Sequence, residues 1–387
     1  MFAPDSGWTV ALLVVVSVAL LVGVALAGLR LRALPAAAGA VAAAVLAGAV
    51  WVNVSYGYYQ RWSDAVAELT GAVPAAGSPA APVQLPAANP TGRRAGDPAA
   101  SRPGQGAVRG HGQLVQTWLG GPVSGLRRLA LVWLPPQYTD PAFAAQKFPV
   151  LLLLHGDPGE ARGFIYGMHV DAVADALVRA GRMRPVVIVM PTVWVGWHGQ
   201  QCLDAVRGPA DETYLTRDVP GAITAAFRVL APGPAWAISG LSEGGYCAVN
   251  LALRHPSLFA GAASLDGYFA PDVSRGLGRR LFDGNAAAQA AATPLSVIAN
   301  WPTAQGPALW LMAGDRDQGD VRQLEAFASS AVSVCQERIV IVHGGRHTTP
   351  AWRAALPDLL TWAGALTGQG VASQGTVTLS LQGTARP

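Results

Sequence analysis

Charge is scarce in this chain: of 387 residues, 13% are Asp, Glu, Lys or Arg, against 51% hydrophobic. No stretch gathers Lys and Arg into a run, and the net charge is only +4. The sequence pI near 9.2 therefore reflects no basic stripe able to neutralise many phosphates, and nucleic acid is set aside as a partner. Cysteine is scarcer still. Cys202, Cys247 and Cys335 are the three present, none at metal-ligand spacing, so no metal or cofactor is expected. No segment repeats. Plentiful instead are glycine, 45, and proline, 29, together with long uncharged runs. Such a make-up suits a globular unit joined to apolar and flexible segments.

Residues 8–28 hold no charged side chain and match the roughly 20 residues an α-helix needs to cross a hydrocarbon core. Arg30 and Arg32 follow, then a second uncharged, alanine-rich run at 33–54. Two transmembrane helices in a hairpin are expected within residues 1–60. A cleavable signal peptide carries positive charge ahead of a shorter apolar core, whereas Asp5 is the only charge before Trp8. Arginines favour the cytoplasmic side of short loops, so the expected turn is inside and everything after residue 54 outside the cell membrane. Trp51, Tyr56, Tyr58 and Tyr59 suit the headgroup boundary.

Residues 61–106 read as a linker, the part from 71 onward dominated by Pro, Ala and Gly without apolar period. Residues 367–387 read as a flexible tail with one candidate strand at 376–381. Between them, 107–366 is long enough for one sizeable core. Continuous apolar runs such as FPVLLLLHG, RPVVIVMPT and AWAISG alternate with helical patterns. That pattern predicts an α/β fold, a mostly parallel sheet covered by helices on both faces, with its chemistry at the carboxyl ends of the strands.

At one such end stands Gly240-Leu241-Ser242-Glu243-Gly244, a G-x-S-x-G pattern between strand and helix. A nucleophile there needs a tight turn in which Gly240 and Gly244 avoid collision, and the helix N-terminus faces a developing oxyanion. A serine needs a base. His347, in the loop after the last strand, is preferred to His343 at that strand's edge. The acid that orients the imidazole should follow the preceding strand, where Asp315, Asp317 and Asp320 lie. Asp317 ranks first, Asp315 second, and Asp266, one strand earlier, is a further position. The backbone N–H groups of Asp157 and Glu243 are the expected oxyanion donors, with Arg162 or Arg254 as candidate partners for their carboxylates. Trp194, Trp197 and Tyr214 either line a substrate pocket or pack their loop onto the sheet. Outside the membrane one disulfide is allowed; Cys202 with Cys247 is the pairing weighed against free buried cysteines.

Five segments, from SGLRRLALVWLPPQY through GLSEGGYCAVNLALRHPSLFAGAASLDGYF to GGRHTTPAWRAALPDLLTWA, resemble in order the putative-esterase group of α/β hydrolases, with esterase D, feruloyl esterases and mycolyltransferases. The resemblance covers about residues 107–365. It implies an α/β-hydrolase fold and a serine esterase with Ser242 as nucleophile, His347 as base and Asp317 as acid. Glu243 departs from the methionine common in this group, which raises the expectation of an altered pocket or of a preference for a cationic substrate. The Gly244-Gly245 pair departs from the mycolyltransferases. The expected protein is a membrane-anchored extracytoplasmic hydrolase of carboxylic esters. An acyltransferase or aminoacyl-lipid esterase acting on cell-envelope lipid or glycan, and a catalytically silent scaffold, are the alternatives.

Overall fold

The computed structural model describes residues 3–4, 6–27, 34–70, 110–194, 199–274, 276–302, 305–368 and 377–382. The turn bearing Arg30 and Arg32, the Pro-rich segment 71–109 and Trp197 lie outside these residues. The chain forms two units, an N-terminal helical one and a larger α/β one.

The helical unit holds α1 (Gly7–Ala27), α2 (Leu34–Tyr56) and α3 (Trp62–Thr70). With 21 and 23 residues, the first two are long and apolar enough to cross a membrane. They pack on one another through α2, where Ala40, Ala43 and Ala47 are buried with Val50 and the alanines let backbones approach. Leu12, Val15, Leu21, Val41 and Val45 face outward. Asn53 near the end of α2 donates through Nδ2 to the carbonyls of Pro4 and Tyr59, both at 2.9 Å, and accepts from the Tyr59 N–H at 2.8 Å. The start of α1 is thus fastened beside the end of α2, and the pair is an antiparallel hairpin. Trp62–Thr70, read as the start of the linker, is helical.

The larger unit is built on nine strands: β1 (Gln113–Gly120), β2 (Arg127–Leu134), β3 (Val150–Leu154), β4 (Val187–Pro191), β5 (Gly233–Leu241), β6 (Phe259–Leu265), β7 (Ala308–Gly314), β8 (Glu337–His343) and β9 (Val377–Gln382). Their order is β1-β2-β4-β3-β5-β6-β7-β8-β9. The β1–β2 and β2–β4 pairs are antiparallel and all others parallel. Every residue of β3, β4 and β7 is buried, which an alternating pleat permits only when both faces are covered. The cover comes from α4 (Gly163–Tyr166), α5 (Val170–Arg179), α6 (Asp211–Thr213), α7 (Val219–Ala226), α8 (Glu243–Arg254), α9 (Leu277–Phe282), α10 (Ala286–Ala291), α11 (Pro294–Ala299), α12 (Gln318–Ala331) and α13 (Thr349–Leu366). Helix α8 packs on β3, β5 and β6, and α12 on β7. Val150, Leu152 and Leu154 join one core cluster with Tyr246, Val249 and Leu253 of α8. Their neighbours Leu151 and Leu153 point to the opposite face.

Strand β3 lies between β4 on one side and β5 on the other. The chain therefore leaves β3 and β5 in opposite directions, and this divergence opens a crevice outside their carboxyl ends. The register pairs Leu154 with Gly240, so the turn after β3 starts level with the G-x-S-x-G turn after β5.

Candidate active site

Ser242 follows β5 with φ 55° and ψ −121°, a left-handed conformation that costs an L-residue free energy and persists only where the surroundings impose it. The hydrogen bonds of the turn impose it, and the neighbouring glycines leave room for it. A Cβ on Gly240 would stand 2.1 Å from the Gly244 carbonyl oxygen, and one on Gly244 would stand 2.1 Å from the Leu154 oxygen and 2.6 Å from that of His155. The Ser242 N–H is tied to the Leu265 carbonyl at 2.9 Å, while its own carbonyl accepts from Gly245 and Tyr246. Helix α8 begins at the next residue.

His347 sits in the loop between β8 and α13. Its Nε2 lies 2.9 Å from Ser242 Oγ, and its Nδ1 lies 2.8 Å from Asp320 Oδ2. With the proton on Nδ1, the ring donates to Asp320 and accepts from the serine hydroxyl. Burial opposes the charged ring, but the hydrogen bond to Asp320 and the negative fields of Asp266, Asp320 and Asp317 outweigh it and hold the His347 pKa above its ordinary value.

The acid facing the imidazole is thus Asp320, and neither Asp317 nor Asp315 takes that place. After Gly314 the chain enters α12 sooner than a loop-based reading allows. Asp317 occupies the N-cap position, and Asp320 falls in the first turn, where helical side chains lean back toward the N-terminus and so toward the strand ends. Asp315 instead holds His343, its Oδ2 lying 2.9 Å from that Nδ1 while Oδ1 accepts from the Gly344 N–H at 2.8 Å. Asp266 is buried, 2.7 Å from Trp352 Nε1. Asp320 is distinguished by its place in the first turn of α12, three residues beyond the N-cap position, although the Asp317 side chain makes no cap hydrogen bond there.

The turn after β3 lies against the nucleophile. A Cβ on Gly156 would approach Leu241 O and Ser242 Cβ to 3.1 Å, which brings the Asp157 backbone to the same rim; the Asp157–Pro158 peptide is cis. His155 anchors this turn from below, its Nε2 accepting from the Val193 N–H at 2.8 Å and its Nδ1 donating to the Gly156 carbonyl at 2.9 Å. Full burial pushes its pKa down to about 4, so this histidine is neutral. Glu243 opens α8, so its N–H is one of the helix donors with no partner inside the helix.

The carboxylates of Asp157 and Glu243 turn away from the serine. Asp157 Oδ2 accepts from the Gly199 N–H at 2.6 Å and Glu243 Oε1 from the Gln201 N–H at 3.1 Å. The arginines weighed as their partners are engaged elsewhere, Arg162 with Glu160 at 3.4 Å and Arg254 with Glu212 at 3.0 Å. Burial, reinforced by the Asp157 charge, pushes the Glu243 pKa up to about 8. Beside Gln201 a disulfide joins Cys202 to Cys247 of α8, and Cys335 is free and buried. Tyr214 is fully buried under the Arg128 guanidinium, 5.2 Å from its ring centre. It packs the core and lines no open pocket. Trp194 packs against the same core, its ring 6.0 Å from that of His155.

A family model described as putative esterase matches residues 125–363. An uncharacterized protein of Corynebacterium glutamicum is 28% identical over 268 residues, 65% of this chain and 61% of that protein. A putative esterase, NocK, of Nocardia uniformis subsp. tsuyamanensis is 35% identical over 120 residues, 31% of this chain and 33% of that one. The chain thus spans less than two thirds of the length of these relatives. Among solved structures, a ferulic acid esterase aligns over 67% of this chain and 99% of its own, with TM-score 0.57 and 24% identity. An S-formylglutathione hydrolase from Agrobacterium tumefaciens aligns over 67% and 96%, with TM-score 0.57 and 18% identity. A fluorophosphonate-binding serine hydrolase of Staphylococcus aureus aligns over 66% and 99%, with TM-score 0.55 and 19% identity. At these identities the likeness is one of fold, the α/β-hydrolase fold.

Proposed function

The chain belongs to the putative-esterase family, and from that premise we propose that it is a membrane-anchored, extracytoplasmic serine esterase that hydrolyses carboxylic esters through an acyl-enzyme. The observation that carries this reading is the continuous array Ser242 Oγ, His347 Nε2, His347 Nδ1, Asp320 Oδ2, with contacts of 2.9 and 2.8 Å, raised on a turn that only glycine neighbours permit. Ser242 attacks the acyl carbonyl as His347 takes its proton. Asp320 keeps the imidazole in the tautomer that accepts at Nε2 and stabilises the imidazolium. The N–H groups of Glu243 and Asp157 receive the oxyanion. His347 then protonates the leaving alcohol, and water, deprotonated by the same ring, releases the acid.

Two apolar helices ahead of the domain support anchoring, the Arg30 and Arg32 pair between them supports an outward-facing catalytic unit, and the Cys202–Cys247 disulfide suits an oxidising compartment. An ester carried by a cell-envelope lipid or glycan would lie within reach of a domain so tethered. The test is labelling of the full-length protein by a fluorophosphonate. The wild type is expected to react and Ser242→Ala not to. An unlabelled wild type that also turns over no ester in a chain-length panel would refute the reading. Protease added to intact cells is expected to cut within 71–109, and protection of that segment would refute the orientation.

A further inference from the structure

The ester-hydrolysis scheme leaves one buried carboxylate next to the site unused. Asp266 directly follows β6 with φ 49°, and its N–H donates to the Met312 carbonyl at 2.9 Å. Oδ1 accepts from the Gly314 N–H at the end of β7 at 3.0 Å, and Oδ2 accepts from Trp352 Nε1 in the first turn of α13 at 2.7 Å. Gly314 in turn lies against the loop that carries the base, since a Cβ there would stand 2.5 Å from the Gly345 carbonyl carbon. The indole of Trp352 meets the His347 ring edge to face, with centroids 5.3 Å apart and planes at 81°. One carboxylate therefore ties together β6, β7 and α13 beneath the histidine.

A charge so placed is expensive. Two N–H donors could be satisfied by two carbonyls without removing an ionisable group from water. The expense has a use if the negative charge is needed when the imidazole becomes positive during attack. We propose that Asp266 is a second carboxylate serving the base, a positioning residue that fixes the tilt of His347 through Trp352 and adds field that stabilises the imidazolium. No proton passes to it; the serine proton stays on Nε2. The inference rests on Ser242 and His347 working as nucleophile and base. The charged groups acting on His347 are Asp320 in α12, Asp317 at the N-cap of α12 and Asp266 just after β6. Burial raises the Asp266 pKa and the Asp320 charge adds to the rise, while the His347 charge and the hydrogen bonds from the Gly314 N–H and Trp352 Nε1 draw it back, so the carboxylate charge is held most firmly when the ring is positive.

The test uses full-length protein in detergent micelles, with 13Cε1-labelled histidine titrated by NMR and His347→Gln to assign the resonance. Alongside it, kcat and KM are measured on p-nitrophenyl acetate. Asp266→Asn is expected to lower the His347 midpoint by about one unit and kcat by about tenfold with KM unchanged. Trp352→Phe keeps a ring on the imidazole and deletes the donor to Asp266; it is expected to shift the midpoint the same way and cut kcat several-fold, again at constant KM. Wild-type midpoints and wild-type kcat in both variants, at any loss of Tm, would reduce the pair to scaffolding and overturn the proposal. Should Asp266→Asn fail to fold, the same outcome in Trp352→Phe alone decides. The NMR titration needs no turnover, so a wild type without esterase activity counts against the enzymatic reading and not against this pairing.

Discussion

Replacing Asp320 with Asn, and separately Asp317 with Asn, isolates the carboxylate at His347 Nδ1. The imidazolium formed during attack would lie about 4 Å, charge to charge, from the Asp320 carboxylate, an attraction of about 4 kcal/mol at an effective dielectric near 20. Solvent screens part of it, since the His347 and Asp320 side chains are 33% and 20% exposed. About 2–4 kcal/mol remains, or roughly 30- to 1,000-fold in kcat. The amide can also donate to Nδ1, which moves the ring proton to Nε2, the wrong side for accepting from Ser242. Asp317, with no hydrogen bond to the ring, acts through its field alone, and its Asn variant is expected within about threefold of wild type. Steady-state kcat on p-nitrophenyl acetate, with Tm to verify folding, separates the two. Equal losses, or a larger loss at Asp317, would refute the assignment drawn from the 2.8 Å contact.

Because the base must be neutral and its pKa is raised, kcat/KM is expected to climb with pH through a midpoint above the ordinary histidine value of 6.5. It should fall again as Glu243, poised at about 8, ionises beside its own N–H; Glu243→Gln, which still accepts from Gln201, should abolish the alkaline fall. The same group links pH to stability: unfolded, Glu243 ionises near 4.5, while folded it keeps its proton to about 8. Stability should therefore drop as pH rises across that window, and Tm of Glu243→Gln should not show that drop. Gly244→Ala forces a methyl to 2.1 Å from the Leu154 oxygen and should cost about 3 kcal/mol or more together with fluorophosphonate labelling, read by chemical denaturation and gel. Opening the Cys202–Cys247 link, which closes a loop of sequence separation 45, should lower stability by about 2–4 kcal/mol, visible as a reductant-dependent Tm that Cys202→Ser lacks.

The fold was legible where local and global signals coincide. The five-residue aliphatic run of β3, bounded by Pro149 and Gly156, is too short for a core helix and suits a covered strand, and glycine on either side of Ser242 follows from clashes that the backbone alone creates. The hairpin was legible from length and lack of charge. Strand β1 was not: it is an edge strand whose residues are mostly half-exposed or exposed, and its apolar residues are interrupted by Gln116 and Thr117 and form no continuous run like that of β3. Asp320 was passed over because the choice among three aspartates depends on where a helix begins, and a shift of one residue rotates a side chain by about 100°. Tyr214 opens a π-helical turn and is fully buried; its sequence neighbourhood carries no sign of this.

Strand β9 takes its place beside β8 through a parallel register running from Val377 against Arg338 to Gln382 against His343. Residues 377–382, within a stretch that reads as a tail, are therefore the outer hem of the sheet. A chain trimmed at residue 366 would leave β8 with a bare row of amides and carbonyls, the kind of border that recruits a neighbouring molecule. Since β8 feeds directly into the turn that holds the base, loss of that hem would reach the chemistry as well as solubility.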